Sequence, residues 1–207
     1  MSLQVTFHQP SPESISDMRT RKKARTRLAI QDAALDLFAE QGYEATSVEQ
    51  IAQRADVSVS TFFRYFGTKA DIMLNDQNLE LPQLCAALLA QPSEVRDLEA
   101  VRRALQAAWV PNIDPVRTIR TARAVAQSAF LCGIAFNVGR GWVDVVGGVL
   151  ADRRGDPDAL EECLLVARTA LGVFGDATEH WVASDAKKDF AALIDQGFNM
   201  IERICQN

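Results

Sequence analysis

The sequence predicts an all-α protein in two parts: a small three-helix domain at the N-terminus, then a larger all-helical domain. Three observations carry this reading. Apolar residues recur at helical spacing along most of the chain. No stretch alternates with the period of two that a half-buried strand shows. Two short helices near residue 50 are marked off by cap residues and one tight turn. The 207 residues suit one larger domain or two small ones, and 48 % apolar with 24 % charged residues is the balance of a globular chain.

Residues 1–18, MSLQVTFHQPSPESISDM, are polar and broken by Pro10 and Pro12. They are expected to form a disordered tail and lack the apolar core of a signal peptide. The first helix is expected over about Thr20 to Gln41. Ile30, Ala33, Ala34, Leu37 and Phe38 form one apolar stripe, and Gly42 suits the C-terminal cap. Its first turns carry RTRKKARTR, Arg19 to Arg27, with six basic residues in nine and no acid. The whole chain has a net charge of −5; residues 1–70 hold nine Lys/Arg against eight Asp/Glu, and residues 71–207 thirteen against nineteen. A basic run in an otherwise acidic chain is a solvated face or a nucleic-acid arm.

Ser47 to Gln50 reads as a capping box that opens a short helix, Val48 to Arg54, with Val48, Ile51 and Ala52 turned inward. Ala55-Asp56-Val57 is a tight break, because aspartate tolerates the left-handed conformation better than most residues. Ser58 caps a third helix, Val59 to Phe66, and Thr68 opens a fourth with Asp71 at its third position. Two short helices across such a turn make a helix-turn-helix pattern. Within VSVSTFFRYFGTK, Phe62 and Phe66 share a face and are expected to pack on Ile51, Leu37 and Phe38. Ser58, Val59, Ser60, Thr61 and Arg64 then point elsewhere, flanked by Phe63 and Tyr65. Hydroxyls and arginine reach base edges or phosphates, and valine packs on a thymine methyl, so this end of the helix suits a DNA major groove. The bland alternative is a three-helix bundle with a decorated surface.

Residues 25–72 resemble the DNA-binding domain of TetR-family transcriptional regulators. The features that match are AALDLFAEQGYEATSV, IAQRADVS, TFFRYF and TKADI. The resemblance implies a homodimer that places one recognition helix of each subunit on a palindromic double-stranded operator. Carried over by position, Val59 and Ser60 read bases, Thr61 contacts a base or phosphate, and Lys69 contacts a phosphate at a helix N-terminus. Three departures stand out. Phe63 occupies the place of a tyrosine that bonds phosphate, Tyr65 that of a common histidine, and Asp56 that of the turn glycine. The candidate DNA-contacting set is Arg21, Lys22, Lys23, Arg25, Thr46, Ser47, Ser58, Val59, Ser60, Thr61, Phe63, Arg64, Tyr65 and Lys69.

Residues 19–67 are thus expected to be the helix-turn-helix domain and residues 68–207 the effector-binding and dimerisation domain. Helices are expected at about 68–80, 82–90, 93–109, 115–128, 130–153, 157–183 and 187–204, broken by Pro82, Pro92, Pro111, Pro115 and Pro157. The last two are the dimerisation candidates, through Leu164, Leu171, Phe174, Trp181, Leu193, Ile194, Phe198 and Ile201. Gly172 and Gly175 would permit close helix approach. In the family these helices form a four-helix bundle with their mates. The family also binds a small molecule in this domain and releases DNA in response. Candidate lining residues are Trp109, Phe130, Phe136 and Trp142, an inventory that favours a hydrophobic or aromatic effector. The glycines of GRGWVDVVGG, Gly139 to Gly148, would leave room beside Trp142. Arg117, Arg120 and Arg123 either meet an anionic group or are solvated.

No apolar run approaches the roughly 20 residues that span a membrane, so the expectation is a cytoplasmic protein with no membrane partner. Cys85, Cys132, Cys163 and Cys205 are spaced as reduced core residues. His8 and His180 have no ligand-spaced neighbours, and no metal or cofactor is expected. An enzyme finds little support, with no nucleophile–base arrangement and no glycine-rich phosphate loop. A DNA-binding protein without an effector shares the same N-terminal domain and stays open.

Overall fold

The computed structural model of the chain describes residues 12–206, with 12–17, 74–80 and 205 described by backbone alone. The described residues form α1 Pro12–Gln41, α2 Val48–Arg54, α3 Val59–Tyr65, α4 Asp71–Leu89, α5 Asp97–Trp109, α6 Pro115–Ala126 and α7 Ala129–Arg154. A 3₁₀ turn at Pro157–Ala159 then leads into α8 Leu160–Ala183 and α9 Phe190–Gln206. No strand occurs among them.

Three boundaries differ from expectation. Residues 12–18 of the expected tail are helical, and the rest of that tail lies outside the described residues. Pro82 does not divide α4, which runs through it. A proline inside a helix costs about 3 kcal/mol. Leu84 and Leu88 are both fully buried beyond it, each contributing about 1.5–3 kcal/mol, which offsets that cost. Finally, α4 begins at Asp71 rather than Thr68, yet the expected pair still caps the approach. Thr68 donates its backbone N–H and its hydroxyl to the Asp71 carboxylate, and Asp71 N–H donates back to Thr68 Oγ1.

Two apolar cores organise these helices. The smaller gathers Ile30, Leu37 and Phe38 of α1, Ile51 of α2 and Phe62 of α3 with Phe66 after it. It also takes Ile72 and Met73 of α4, Ala124 of α6 and Leu131 of α7, so the C-terminal part of the chain helps to build it. The larger core lies among α4, α5, α7, α8 and α9. An aromatic ladder crosses it: Trp109 meets Trp142 at 5.3 Å and Phe174 at 5.0 Å, and Phe190 meets Phe174 at 5.7 Å and Trp181 at 5.0 Å. Close helix approach occurs at Gly147 and Gly197, where an added Cβ would lie 2.6 Å from Leu164 Cδ2 and from Val173 Cγ1 respectively. Nothing lies within 4 Å of such a Cβ at Gly172 or Gly175.

Among the described residues one helix, α7, is long and apolar enough to cross a membrane by length and composition alone, contrary to the sequence expectation. Arg140 and Asp144 sit in its middle, while Val143, Val146 and Leu150 are buried in the larger core. Among the cysteines, Cys163 is buried, Cys85 is half-buried and Cys132 is exposed, so Cys132 is not a core residue.

Candidate nucleic-acid interface

The helix-turn-helix is held by caps at each of its expected points. Ser47 Oγ accepts Gln50 N–H and the Gln50 side chain accepts Ser47 N–H, which closes the capping box of α2. Asp56 adopts φ 53° in the turn. Ser58 Oγ accepts Thr61 N–H and starts α3. Phe62 and Phe66 are buried in the smaller core, and the Arg27 guanidinium lies 5.3 Å from the Phe66 ring centre. These anchors fix which face of α3 looks outward. Ser58, Ser60, Phe63 and Arg64 are exposed, Phe63 by 53 %, while Val59, Thr61 and Tyr65 are half-buried.

An open cleft of about 690 Å³ separates the N-terminal half of α1 from α3. Arg19, Lys22, Lys23 and Thr26 line one wall, and Asp56, Val57, Ser58, Thr61, Arg64 and Tyr65 the other. The structure therefore brings Lys22 and Lys23 to the same cleft as Ser58, Thr61 and Arg64. Arg19 and Thr26 were missed as candidates, although the basic run itself begins at Arg19. Arg21 and Arg25 are exposed outside this cleft. Asp56 is the one carboxylate in the lining, and its charge runs against that of the cations opposite.

Three candidates are placed differently from expectation. Thr46 is 2 % exposed, and its hydroxyl donates to Gly42 O at 2.7 Å and accepts from Gln41 Nε2 at 3.2 Å. It closes the α1–α2 turn from inside and presents nothing to DNA. Ser47 is half-buried, with its oxygen used as the cap. Lys69 is folded inward: its ammonium donates to Tyr43 O and to Thr46 O at 2.7 Å and lies 4.0 Å from the Tyr43 ring centre. Burial pushes this ammonium below the ordinary lysine range, partly offset by Glu44. Burial also pushes the Tyr43 phenol up. Lys69 thus clamps the turn between α1 and α2.

The same turn meets the C-terminal part of the chain. The Phe130 ring stacks on Tyr43 at 5.6 Å, and Ser128, the N-cap of α7, donates to Glu44 Oε1. That bond holds the Glu44 carboxyl below the usual range. On α6, Arg117 pairs with Asp32 at 3.3 Å, Arg120 donates to Asp32 O at 2.9 Å and pairs with Asp36, and Arg123 pairs with Asp185 at 2.8 Å. The three arginines are thus neither a free anion site nor simply solvated. They join α1 to α6, and α6 to the turn between α8 and α9.

Of the candidate pocket residues, Trp109 and Trp142 meet in the aromatic ladder. Phe130 lies over Tyr43 instead, and Phe136 is 68 % exposed on α7, so neither joins them. Of the dimer candidates, Trp181, Ile194 and Phe198 are buried in the larger core, where the helical stripe faces its own domain. Leu164, Leu171, Phe174 and Leu193 pack against that core, and Ile201 is half-buried. The outward apolar residues of these helices are instead Leu160, Leu165, Met200 and Ile204. Sequence spacing finds the stripe but not the side of it that stays open.

An anchored short helix, a basic cleft beside it and a helical domain behind it define a DNA-binding regulator. The model for bacterial regulatory proteins of the tetR family matches residues 30–75, and that for the MftR C-terminal domain matches residues 95–206. The chain is 32 % identical over 169 residues to a candidate mycofactocin biosynthesis transcriptional regulator, MftR, of Mycobacterium tuberculosis, covering 80 % of this chain and 84 % of that one. It is 27 % identical over 178 residues to the transcriptional repressor KstR of Mycolicibacterium smegmatis, covering 84 % of each. The fold is similar to that of FadR from Bacillus subtilis in complex with stearoyl-CoA, with TM-score 0.54, 21 % identity, and 84 % of this chain and 96 % of that one covered. The chain belongs to the TetR family of transcriptional regulators.

Proposed function

We propose that this regulator is a cytoplasmic repressor that binds a palindromic operator as a homodimer and is released by a small hydrophobic ligand. The observation that carries the DNA-binding half is the cleft that joins Lys22, Lys23 and Arg64 to the hydroxyl end of α3. Cations there neutralise phosphates, and the exposed start of α3 reaches base edges. Two recognition helices must sit about 34–36 Å apart to meet successive major grooves. A ligand that changes this separation needs a coupling energy of only about 1–3 kcal/mol. The aromatic ladder around Trp109 and Trp142 supports an apolar ligand, and the similar FadR structure holds stearoyl-CoA. The exposed stripe of α8 and α9 supports the homodimer.

The test is fluorescence anisotropy with DNA from upstream of the protein's own gene and a scrambled control, across a salt series. Selective binding with a linear log–log salt slope is expected. Equal binding to both sequences at every salt concentration would overturn the operator reading.

A further inference from the structure

The hydroxyl groups at the start of α3 are close enough to share protons, and their count fixes their direction. Ser58 Oγ accepts Thr61 N–H at 3.1 Å. It donates to Thr61 Oγ1 at 2.9 Å. It also lies 2.9 Å from Ser60 Oγ. A hydroxyl carries one proton and two lone pairs. Ser58 spends its proton on Thr61, so in the third contact the donor is Ser60. Ser58 is then saturated, with two bonds accepted and one donated.

The two outer hydroxyls become unlike each other. Ser60 is exposed, has spent its proton on Ser58, and shows lone pairs alone. Thr61 Oγ1 has accepted a proton and keeps its own for an outside acceptor. Their surroundings separate them further, since Thr61 lines the basic cleft with Lys22, Lys23 and Arg64, whereas Ser60 lies outside that lining. A freely rotating serine bonds donor and acceptor base edges alike and discriminates little.

We propose that Ser58 is a positioning residue that makes Ser60 an obligate acceptor at a base edge, while Thr61 donates to a phosphate. In the major groove an acceptor finds a partner in the exocyclic amino group of adenine or cytosine and meets repulsion at guanine O6 or thymine O4. Each operator half-site then carries adenine or cytosine opposite Ser60. This rests on α3 being the reading helix.

The test is selection from a randomised duplex library by the full-length protein, with the bound fraction sequenced. The unaltered protein is expected to favour adenine or cytosine by about three- to ten-fold at one half-site position. Ser60→Ala removes that preference and leaves the others. Ser58→Gly keeps a tolerated N-cap at a cost of a few tenths of a kcal/mol but frees the Ser60 proton, and the same preference disappears. Ser58→Asp caps α3 and accepts from Ser60, so the preference stays. Retention of the preference in Ser58→Gly, or guanine or thymine at the Ser60-dependent position, would overturn the proposal. Selectivity untouched by Ser60→Ala would overturn it while the operator reading stands. No selectivity at all would remove both.

Discussion

Phe63 is a ring on the outward side of α3 without the hydroxyl that the family pattern places there. It is half exposed beside the buried Phe62, whose ring it meets edge-on at 5.4 Å. Burial therefore does not explain it. Phe63→Tyr is expected to tighten binding to specific and random DNA alike by about two- to ten-fold, the worth of one added hydrogen bond; anisotropy on both sequences checks this. Lys69 shows the opposite case, a residue of the family pattern turned to another use. Lys69→Met keeps the stem and removes two charge-assisted bonds to the carbonyls of Tyr43 and Thr46. The expected loss is about 2 kcal/mol, or roughly 4–8 °C in Tm for a chain of this size. The salt slope of DNA binding is expected to stay unchanged, whereas a lost phosphate contact would lower it by about one. A thermal melt and a salt titration of the same sample separate the two roles.

At the scale of elements, the legible parts are those whose signals are local. The bounds of α2 match expectation because Ser47, Gln50 and Arg54 lie within one short segment, and Ser58 fixes the start of α3 in the same way. The continuity of α4 was not legible, because Leu84 and Leu88 hold it together through residues far away in sequence. The arginines of α6 were equally obscure, since Asp32, Asp36 and Asp185 come near only in the fold. Their arrangement makes α6 a bar between α1 and the α8–α9 turn, where Asp185 and Ala186 both have positive φ. Arg120→Ala cuts the bar on its α1 side, where Arg120 reaches both Asp32 O and Asp36. The groups are partly exposed, so the stability cost is expected to stay near 1 kcal/mol. The larger expected effect is on coupling: ligand still binds, but the ratio of operator affinities without and with ligand falls several-fold. That ratio, taken from two anisotropy titrations, is the readout, and an unchanged ratio would place the coupling elsewhere.

At the scale of the molecule, the expected division at residue 67 is less sharp than the two cores suggest, because Ile72, Met73, Ala124 and Leu131 complete the smaller one. The apolar stripes of α8 and α9 were legible, but their partner was not. A helical stripe shows that a face is covered and does not say by which neighbour. Trp181, Ile194 and Phe198 turn into their own domain, and Leu165, Met200 and Ile204 remain outside with the bare backbone at Gly172 and Gly175. The two groups make opposite predictions. Leu165→Glu puts a charge on the open stripe, costs little in the isolated fold, and opposes a partner there. Sedimentation is expected to give a 22.8 kDa species where the unaltered protein gives twice that mass, with full-operator affinity falling toward that of a half-site. Trp181→Ala instead removes a core ring and is expected to lower stability by about 3–5 kcal/mol, with the surviving folded fraction still dimeric. Should Leu165→Glu remain a dimer at micromolar concentration, the open stripe of α8 is not the contact that pairs two subunits on DNA.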